Sequence, residues 1–455
     1  MLQRLNHSNA LSSDHTSTAL DELLLLYEES KQPLKVSFRR LVESLKVGER
    51  ATHYLHSYPA KLLPHIAHFF VNSNLVSGKN VRVLDPFCGS GTVVLEATLS
   101  GYQAVYADVN PLARLITRAK TTLVSNCETE ELLSRLRGSY SKSRASTPPD
   151  VVNIDLWFRP AAIQKLCRIK AAIECNAADE NRDFLWATFS SVCRKVSNAD
   201  PRFAVPVRRK EKVGANGTRI LVENTQDPWE VFQKQLVANA NRMSNFAEML
   251  PKKPMVVSGG LRAQNLRSAS GKQRMREASI DLIITSPPYA GAQKYVRAAS
   301  LSLGWLDLVG SKELRELESK TIGREHFQIA EYQALSPTGI VDADNLLESV
   351  FRENPLRAHI AGKYLSEMKC ALSEMYRVLK PGGSLVLVIG NNKVCGNDFR
   401  SSDYLSTMLE ELGMKLDLHL IDDIPARALT TKRASTADVI EHEHILLFSK
   451  PQKPN

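Results

Sequence analysis

The stretch Val81-Arg-Val-Leu-Asp-Pro-Phe-Cys-Gly-Ser-Gly-Thr92 is the strongest indication of the fold class of this chain. It opens on a short apolar run, as a buried parallel strand does, and residues 92–100 predict a helix. Gly89 and Gly91 lack a Cβ atom, so the backbone between strand and helix can turn sharply and approach a ligand closely. The free N–H groups at the start of the helix face the same place. A strand, a glycine-rich turn and a helix in this order predict a nucleotide-binding site in an open α/β sheet.

A second strand is predicted over residues 102–107, and it leads into Asp108. In dinucleotide-binding folds, an acid at this place accepts hydrogen bonds from ribose hydroxyls. The same carboxylate could also cap the helix that begins near Pro111. Both roles can hold at once, and the sequence leaves both open.

The pentapeptide Thr285-Ser-Pro-Pro-Tyr289 ends and follows a further apolar strand, residues 281–285. Two prolines after a buried strand end the sheet and stiffen the backbone. A rigid turn would account for the two prolines. It would not account for the serine and the tyrosine that flank them in a chain that also carries a glycine-rich nucleotide loop.

Together the two loops resemble the amino-group DNA methyltransferases, whose hallmarks are a D-P-F-x-G-S-G-T cofactor loop and an (S/N/D)-P-P-(Y/F/W) catalytic loop. Tyr58-Pro-Ala-Lys61 is similar to the family's N-terminal cofactor motif, and Ala107-Asp-Val-Asn-Pro111 to its ribose-binding segment. Leu379-Lys-Pro-Gly-Gly383 is similar to the entry to the fifth strand of class I methyltransferases. The resemblance covers residues 50–125 and 250–450, approximately.

This resemblance implies an α/β fold of the class I, Rossmann-like methyltransferase type: a mostly parallel seven-stranded sheet with helices on both faces, plus a mainly helical insertion. The core is expected over residues 51–125 and 251–450. Residues 1–50 are expected to form an N-terminal helical extension. Residues 126–250 are expected to form the insertion, which interrupts the sheet and is a candidate target-recognition domain.

The cofactor implied by the resemblance is S-adenosyl-L-methionine. The residues expected to bind it are Tyr58, Pro59, Lys61, Asp85, Pro86, Phe87, Cys88, Gly89, Ser90, Gly91, Thr92, Asp108 and Asn110. In this family the third strand usually ends in an acid that contacts the cofactor's adenine. This chain has Arg262-Ala-Gln-Asn-Leu266 near that place, so Asn265 is the expected substitute.

The catalytic residues implied by the resemblance are Ser286, Pro287, Pro288 and Tyr289. An exocyclic amine is a poor nucleophile because its lone pair delocalises into the ring. The Ser286 hydroxyl and the Pro287 carbonyl would accept the amine's N–H groups and stabilise the charge that develops on nitrogen. Tyr289 would stack on a base rotated out of the duplex.

Serine before Pro-Pro-Tyr is typical of cytosine-N4 enzymes in this family, and aspartate of adenine-N6 enzymes. The sequence therefore favours a site-specific DNA methyltransferase that acts on N4 of cytosine. Three alternatives remain: an adenine-N6 enzyme, a methyltransferase for RNA bases or a protein glutamine, and an inactive subunit that recognises DNA within a larger complex.

The formal charge of +10 is concentrated in residues 194–212 and 252–276. A localised basic charge is typical of a polyanion partner, although a solvated loop would look the same. Arg208, Arg209, Lys210 and Lys212 are expected to contact phosphates of double-stranded DNA. A cognate restriction nuclease or another defence-system partner is compatible with this activity.

A hydrophobic fraction of 43% is that of an ordinary globular protein, and no apolar run near the N-terminus is long enough for a membrane span. The seven cysteines form no C-x-x-C pair, which argues against a zinc knuckle and a disulfide framework. We therefore expect a cytoplasmic protein without a metal site or a membrane partner.

Overall fold

The computed structural model describes residues 13–59, 61–78, 80–124, 126–144, 147–210, 212–213, 219–220, 222–291, 294–423 and 442–452. The strands are β1 Leu34–Val36, β2 Arg82–Asp85, β3 Gln103–Tyr106, β4 Lys212–Val213, β5 Arg219–Ile220, β6 Val256–Ser258, β7 Ile280–Thr285, β8 Leu379–Ile389, β9 Asn392–Val394, β10 Asn397–Phe399, β11 Lys415–Asp423 and β12 His442–Ser449.

The α-helices are α1 Ser13–Ser30, α2 Phe38–Leu41, α3 Pro64–Val71, α4 Thr92–Leu99, α5 Pro111–Thr121, α6 Asn126–Lys142, α7 Ile154–Trp157, α8 Pro160–Asn176, α9 Arg182–Val196, α10 Pro228–Met249, α11 Tyr295–Trp305, α12 Leu314–Ser319, α13 Val341–Glu353, α14 Pro355–Val378 and α15 Ser401–Glu411. Short 3-10 turns span Val47–Glu49, Ser311–Glu313 and Ile329–Tyr332. Five of the α-helices begin on a proline, whose fixed φ and missing N–H suit the first helical position.

Eight of these strands form the central sheet, in the order β1-β11-β12-β8-β7-β2-β3-β6. Five of the seven neighbouring pairs are parallel, and the antiparallel pairs are β11 with β12 and β12 with β8. The Rossmann-like, mostly parallel sheet is therefore confirmed. One strand adds to the seven expected: β1 comes from the N-terminal segment, and it pairs in parallel with Leu420–Asp422. The segment expected to be helical thus also supplies an edge strand.

Alternating residues along a strand point to opposite faces of the sheet. On β7, Leu282 and Ile284 pack in one core with residues of α1, α2, α3 and α4. Ile283, between them, packs in a second core with residues of α13, α14 and α15. The sheet therefore carries helices on both faces, which explains why its central strands are apolar throughout.

Residues between 126 and 249 hold helices α6 to α10, and β4 and β5 form a small antiparallel ribbon among them. Their apolar side chains share a third core with residues of α4, α5 and α11. Trp305, at the end of α11, is fully buried in this core and makes edge contacts with Phe158 and Phe189. No α-helix in the described part of the chain is both long and apolar enough to cross a membrane.

Candidate active site

A cavity of about 480 Å³ lies at the carboxyl ends of β2, β3 and β7. Ligands of α/β sheets bind at this edge. Residues of both loops singled out in the sequence line the cavity, together with residues of the N-terminal motif and the ribose-binding segment. They are Tyr58, Pro59, Lys61, Pro86, Phe87, Gly89, Thr92, Asp108, Asn110, Ser286, Pro288 and Tyr289.

Asp108 links the glycine-rich loop to the start of α5. Its Oδ2 accepts a hydrogen bond from the backbone N–H of Gly89 at 2.9 Å, and its Oδ1 accepts one from the N–H of Asn110 at 2.8 Å. The cap of α5 is Asn110, whose side chain accepts from the N–H of Leu112 at 3.0 Å. The alternative that Asp108 caps this helix is therefore wrong. Burial raises the pKa of Asp108.

The N-terminal motif forms a second wall of the cavity. The hydroxyl of Tyr58 accepts a hydrogen bond from the Asn110 amide at 3.1 Å, so the motif is joined to the ribose-binding segment. Lys61 donates to the carbonyl of His56 at 2.7 Å. Burial lowers the pKa of Lys61 to about 8, so the ammonium group still carries its charge at neutral pH.

The two glycines of the loop have different surroundings. Both lie in the left-handed region, with φ of 49° at Gly89 and 75° at Gly91. A Cβ atom on Gly89 would meet Tyr58 at an ordinary 3.7 Å, at the cavity wall. One on Gly91 would lie 2.8 Å from Oγ1 and 3.1 Å from Cα of Thr117, on α5. Gly91 therefore permits close packing against that helix, and it does not line the cavity, so its contact with the cofactor stays a prediction.

Behind the cavity lining, Asp85 joins the two loops. Its Oδ1 accepts from the Thr285 hydroxyl at 2.7 Å and from the N–H of Phe87 at 3.1 Å. Burial raises the pKa of Asp85 to about 7. Three further residues expected at the site, Cys88, Ser90 and Pro287, are buried and do not line the cavity.

Tyr289 of the second loop donates a hydrogen bond from its hydroxyl to Oε1 of Glu443 at 3.0 Å. Glu443 lines the same cavity, as do Asp422 and Arg39. The sequence analysis did not identify these three residues. No local motif marks them, because Asp422 and Glu443 reach the cavity through strand pairing late in the chain and Arg39 reaches it from α2, far from both loops in sequence.

Asn265 was expected to contact the cofactor's adenine, but it is exposed and does not line the cavity. Its N–H bonds to the carbonyl of Arg262 at 3.1 Å, which closes a tight turn after β6. The residues before it, Arg262, Ala263 and Gln264, line the cavity instead. The three residues upstream of Asn265 therefore line the cavity in its place.

The basic run lies apart from this lining. Arg208 and Arg209 are half-exposed and Lys210 is exposed, while the side chain of Lys212 lies outside the described residues. Ala204, upstream in the same segment, lines the cavity. Among the described residues, no group of three or more His, Cys, Asp or Glu is arranged to hold a metal ion.

The chain is similar to known methyltransferases. Residues 280–455 match the family model "DNA methylase", and residues 53–143 match "RMKL-like, methyltransferase domain". The type II methyltransferase M.MvaI of Kocuria varians is 23% identical over 410 residues, which cover 86% of this chain and 88% of that protein. M.AvaI of Anabaena variabilis is 31% identical over 158 residues, 31% of this chain and 32% of that protein.

Among solved structures, an rRNA methyltransferase from Streptomyces viridochromogenes is 10% identical, with a TM-score of 0.33 over 90% of this chain and 96% of that one. An overlap this low supports no argument about function. The DNA methylase match spans the Ser286–Tyr289 loop, and the M.MvaI alignment spans most of the chain. Both matches support the resemblance of this chain to the amino-group DNA methyltransferases, and with it S-adenosylmethionine as the methyl donor.

Proposed function

We propose that this protein transfers a methyl group from S-adenosylmethionine to the exocyclic N4 amino group of a cytosine rotated out of double-stranded DNA. One observation carries the proposal: the loop Ser286–Tyr289 and the loop Asp85–Thr92 contribute residues to one cavity. Serine at position 286 supports cytosine as the target. Adenine N6 is the alternative, since the two amines present the same N–H groups.

The residues of the cavity suit the cofactor. Its volume lies within the range of small-molecule sites. Phe87 and Gly89 line the cavity just before α4. The backbone N–H groups at the start of that helix favour a negatively charged or polar ligand there. The carboxylate of Asp108 has lone pairs beyond the two that it uses, and these can accept from ribose hydroxyls. When bound, the cofactor supplies an electrophilic methyl group.

The reaction asks the protein mainly to hold the amine. In the proposal, the Ser286 hydroxyl, which lines the cavity, accepts one N–H group of the target base. The resemblance implies the Pro287 carbonyl as the second acceptor, although Pro287 itself does not line the cavity. This draws the nitrogen lone pair out of conjugation with the ring and stabilises the positive charge of the transition state. Tyr289 contributes an aromatic face for the base.

The same proposal places target recognition in residues 126–250. Arg208, Arg209, Lys210 and Lys212 would contact phosphates, and neighbouring residues would read the bases. A cytoplasmic location, with a cognate restriction nuclease or another defence-system partner, would suit a DNA modification enzyme of this kind.

The test is methyl transfer by the purified chain from radiolabelled S-adenosylmethionine to duplex DNA, followed by mass spectrometry of the nucleosides. We expect N4-methylcytosine. Formation of N6-methyladenine instead would overturn the choice of target. Transfer to RNA or a protein but not to DNA would overturn the choice of substrate. No transfer to any of them would indicate a non-catalytic subunit.

A further inference from the structure

Two carboxyl groups stand opposite each other beside the Ser286–Tyr289 loop. Asp422 of β11 and Glu443 of β12 are direct partners in the antiparallel pair, and both line the cavity. Asp422 is only 4% exposed. Like charges facing each other across a pair of strands are destabilising, more so when they are buried. The presence of both acids at the candidate active site therefore needs a functional explanation.

Glu443 also holds the hydroxyl of Tyr289, at 3.0 Å from its Oε1. An ionised carboxylate only accepts hydrogen bonds, so the phenol must donate its proton to Glu443. The lone pairs of the phenol oxygen are then free to accept from another donor. Ser286 is the other hydroxyl of this four-residue loop and lines the same cavity, and its side chain counters the burial that raises the pKa of Tyr289.

A donation from the Ser286 hydroxyl to the phenol oxygen would arrange three groups in one direction, from Ser286 through Tyr289 to Glu443. With its own proton turned towards Tyr289, the Ser286 hydroxyl presents lone pairs to the cavity. Lone pairs are what an exocyclic amine, a donor of two N–H bonds, requires at this position. The carboxylate at the far end therefore fixes the orientation of a hydroxyl that it does not touch.

We propose that Glu443 is a positioning residue for methyl transfer, which orients the Ser286 and Tyr289 hydroxyls and receives the proton that the methylated amine releases. This inference rests on the proposed function. Glu443 acts through Tyr289 and needs no contact with the base or the cofactor.

The proton balance of the step is complete within these groups. A nitrogen–carbon bond forms as the donor's sulfur–carbon bond breaks, which leaves a positively charged amine with one proton in excess. That proton passes to Ser286 Oγ, while the serine proton passes to Tyr289 Oη and the tyrosine proton to the Glu443 carboxylate. The products are a neutral methylated amine and a protonated Glu443, which then loses its proton to solvent.

Glu443 must be ionised before each turnover, so its surroundings set a pH dependence. Burial raises the pKa of Glu443 most, and the charge of Asp422 raises it further. The Tyr289 hydroxyl and the charge of Arg39 act in the opposite direction. The pKa of Asp422 itself is raised to about 6, chiefly by burial. Glu443 should therefore take up a proton at a higher pH than an exposed glutamate does, and kcat should fall as it does so.

The experiment measures kcat on duplex DNA from pH 5.5 to 9, with the affinities for S-adenosylmethionine and DNA. Glu443→Gln keeps the size of the side chain and cannot take up a proton. We expect it to lower kcat about a hundredfold, the lower range for a proton-transfer group, to remove the acidic fall in kcat, and to leave both affinities unchanged. Glu443→Asp should restore part of the rate. Glu410→Gln, the same change at an exposed residue of α15, is the matched control.

Asp422→Asn tests the electrostatics: loss of the facing charge lowers the pKa of Glu443, so the acidic fall should move to lower pH. Should Glu443→Gln not fold, Tyr289→Phe keeps the ring, removes the connecting hydroxyl and should lose the acidic fall as well. Glu443→Gln or Tyr289→Phe with the wild-type kcat and an unchanged pH profile would overturn the inference. Failure of the wild-type chain to methylate DNA would instead overturn the proposed function.

Discussion

The hydroxyl of Thr285 donates a 2.7 Å hydrogen bond to Oδ1 of Asp85, and this bond joins the end of β7 to the end of β2. Both residues are buried. Asp85 begins one loop of the candidate active site and Thr285 directly precedes the other, and neither residue lines the cavity. The hydrogen bond therefore fixes the position of the two loops relative to each other from outside the cavity. A substitution at Asp85 or at Thr285 should therefore displace both loops.

The titration of Asp85 should make stability depend on pH. Its pKa is raised from 3.8 to about 7 in the folded state. The folded protein therefore binds more protons than the unfolded chain between those values, and stability is lost as the pH rises towards 7. Asp85→Asn keeps an oxygen for Thr285 and cannot ionise. Relative to wild type, the variant should gain up to about 4 kcal/mol in free energy of unfolding between pH 4 and pH 8.

Urea denaturation of both proteins at several pH values measures this difference. Parallel stability profiles would contradict the prediction. Asp417→Asn, a change of the same kind at a residue that does not line the cavity, serves as the control.

Gly91→Val should fail through packing. The new Cβ would lie 3.1 Å from Cα of Thr117, and φ at this position is 75°. Overpacking of this kind costs about 1–3 kcal/mol, and the left-handed backbone adds about 1–2 kcal/mol. We expect a lower Tm, with S-adenosylmethionine affinity lost only in proportion to unfolding. Thr117→Ala in the same chain should restore part of the stability. A variant with wild-type Tm and no cofactor binding would show that Gly91 faces the cofactor after all.

Ser286→Ala should lower kcat about a hundredfold to a thousandfold, as loss of one preorganised hydrogen-bonding group does in other enzymes. Calorimetric titration should show an unchanged affinity for S-adenosylmethionine, since the serine is proposed to face the base. Ser319→Ala, a change at an exposed serine, provides the baseline. Undiminished activity of Ser286→Ala would remove this residue from the reaction.

Replacement of Arg208, Arg209, Lys210 and Lys212 by alanine should weaken DNA binding and flatten its salt dependence. Each lost phosphate contact lowers the slope of log K against log salt by about one unit, without changing the preferred sequence. Affinity for S-adenosylmethionine should stay the same. The measurement is DNA affinity across a salt series, with Lys31→Ala plus Lys35→Ala as the control at exposed residues. An unaltered slope would identify the run as a solvated loop.

The mostly parallel sheet and the two loops could be predicted because their signals are local. Residues 81–92 and 285–289 are contiguous, and each follows a strand that the sequence itself marks. Glu443 could not be predicted in the same way. It meets Tyr289 across 154 residues, and the pairing of β12 with β8, the neighbour of β7, brings it there.

Two differences have similarly physical reasons. Leu34–Val36 is too short for a period of two to be visible, so its pairing with β11 had no signal in the sequence. Asn265 is the expected substitute for the family's acid because it lies near that place in the sequence, but the turn closed by its own N–H exposes it. A short strand and a tight turn are settled by tertiary contacts, which a linear pattern does not contain.

The burial of Trp305 limits which segments of the chain can be exchanged between relatives. Its indole ring belongs to a helix that follows the Ser286–Tyr289 loop, but it packs on Phe158 and Phe189, which lie between residues 126 and 250. Residues 126–250 therefore do not pack independently of α11. Transplanting residues 126–250 from a relative would leave Trp305 against a foreign surface, unless α11 travelled with them. Hybrids that exchange both segments should stay folded, whereas those that exchange the insertion alone should be compromised at this tryptophan.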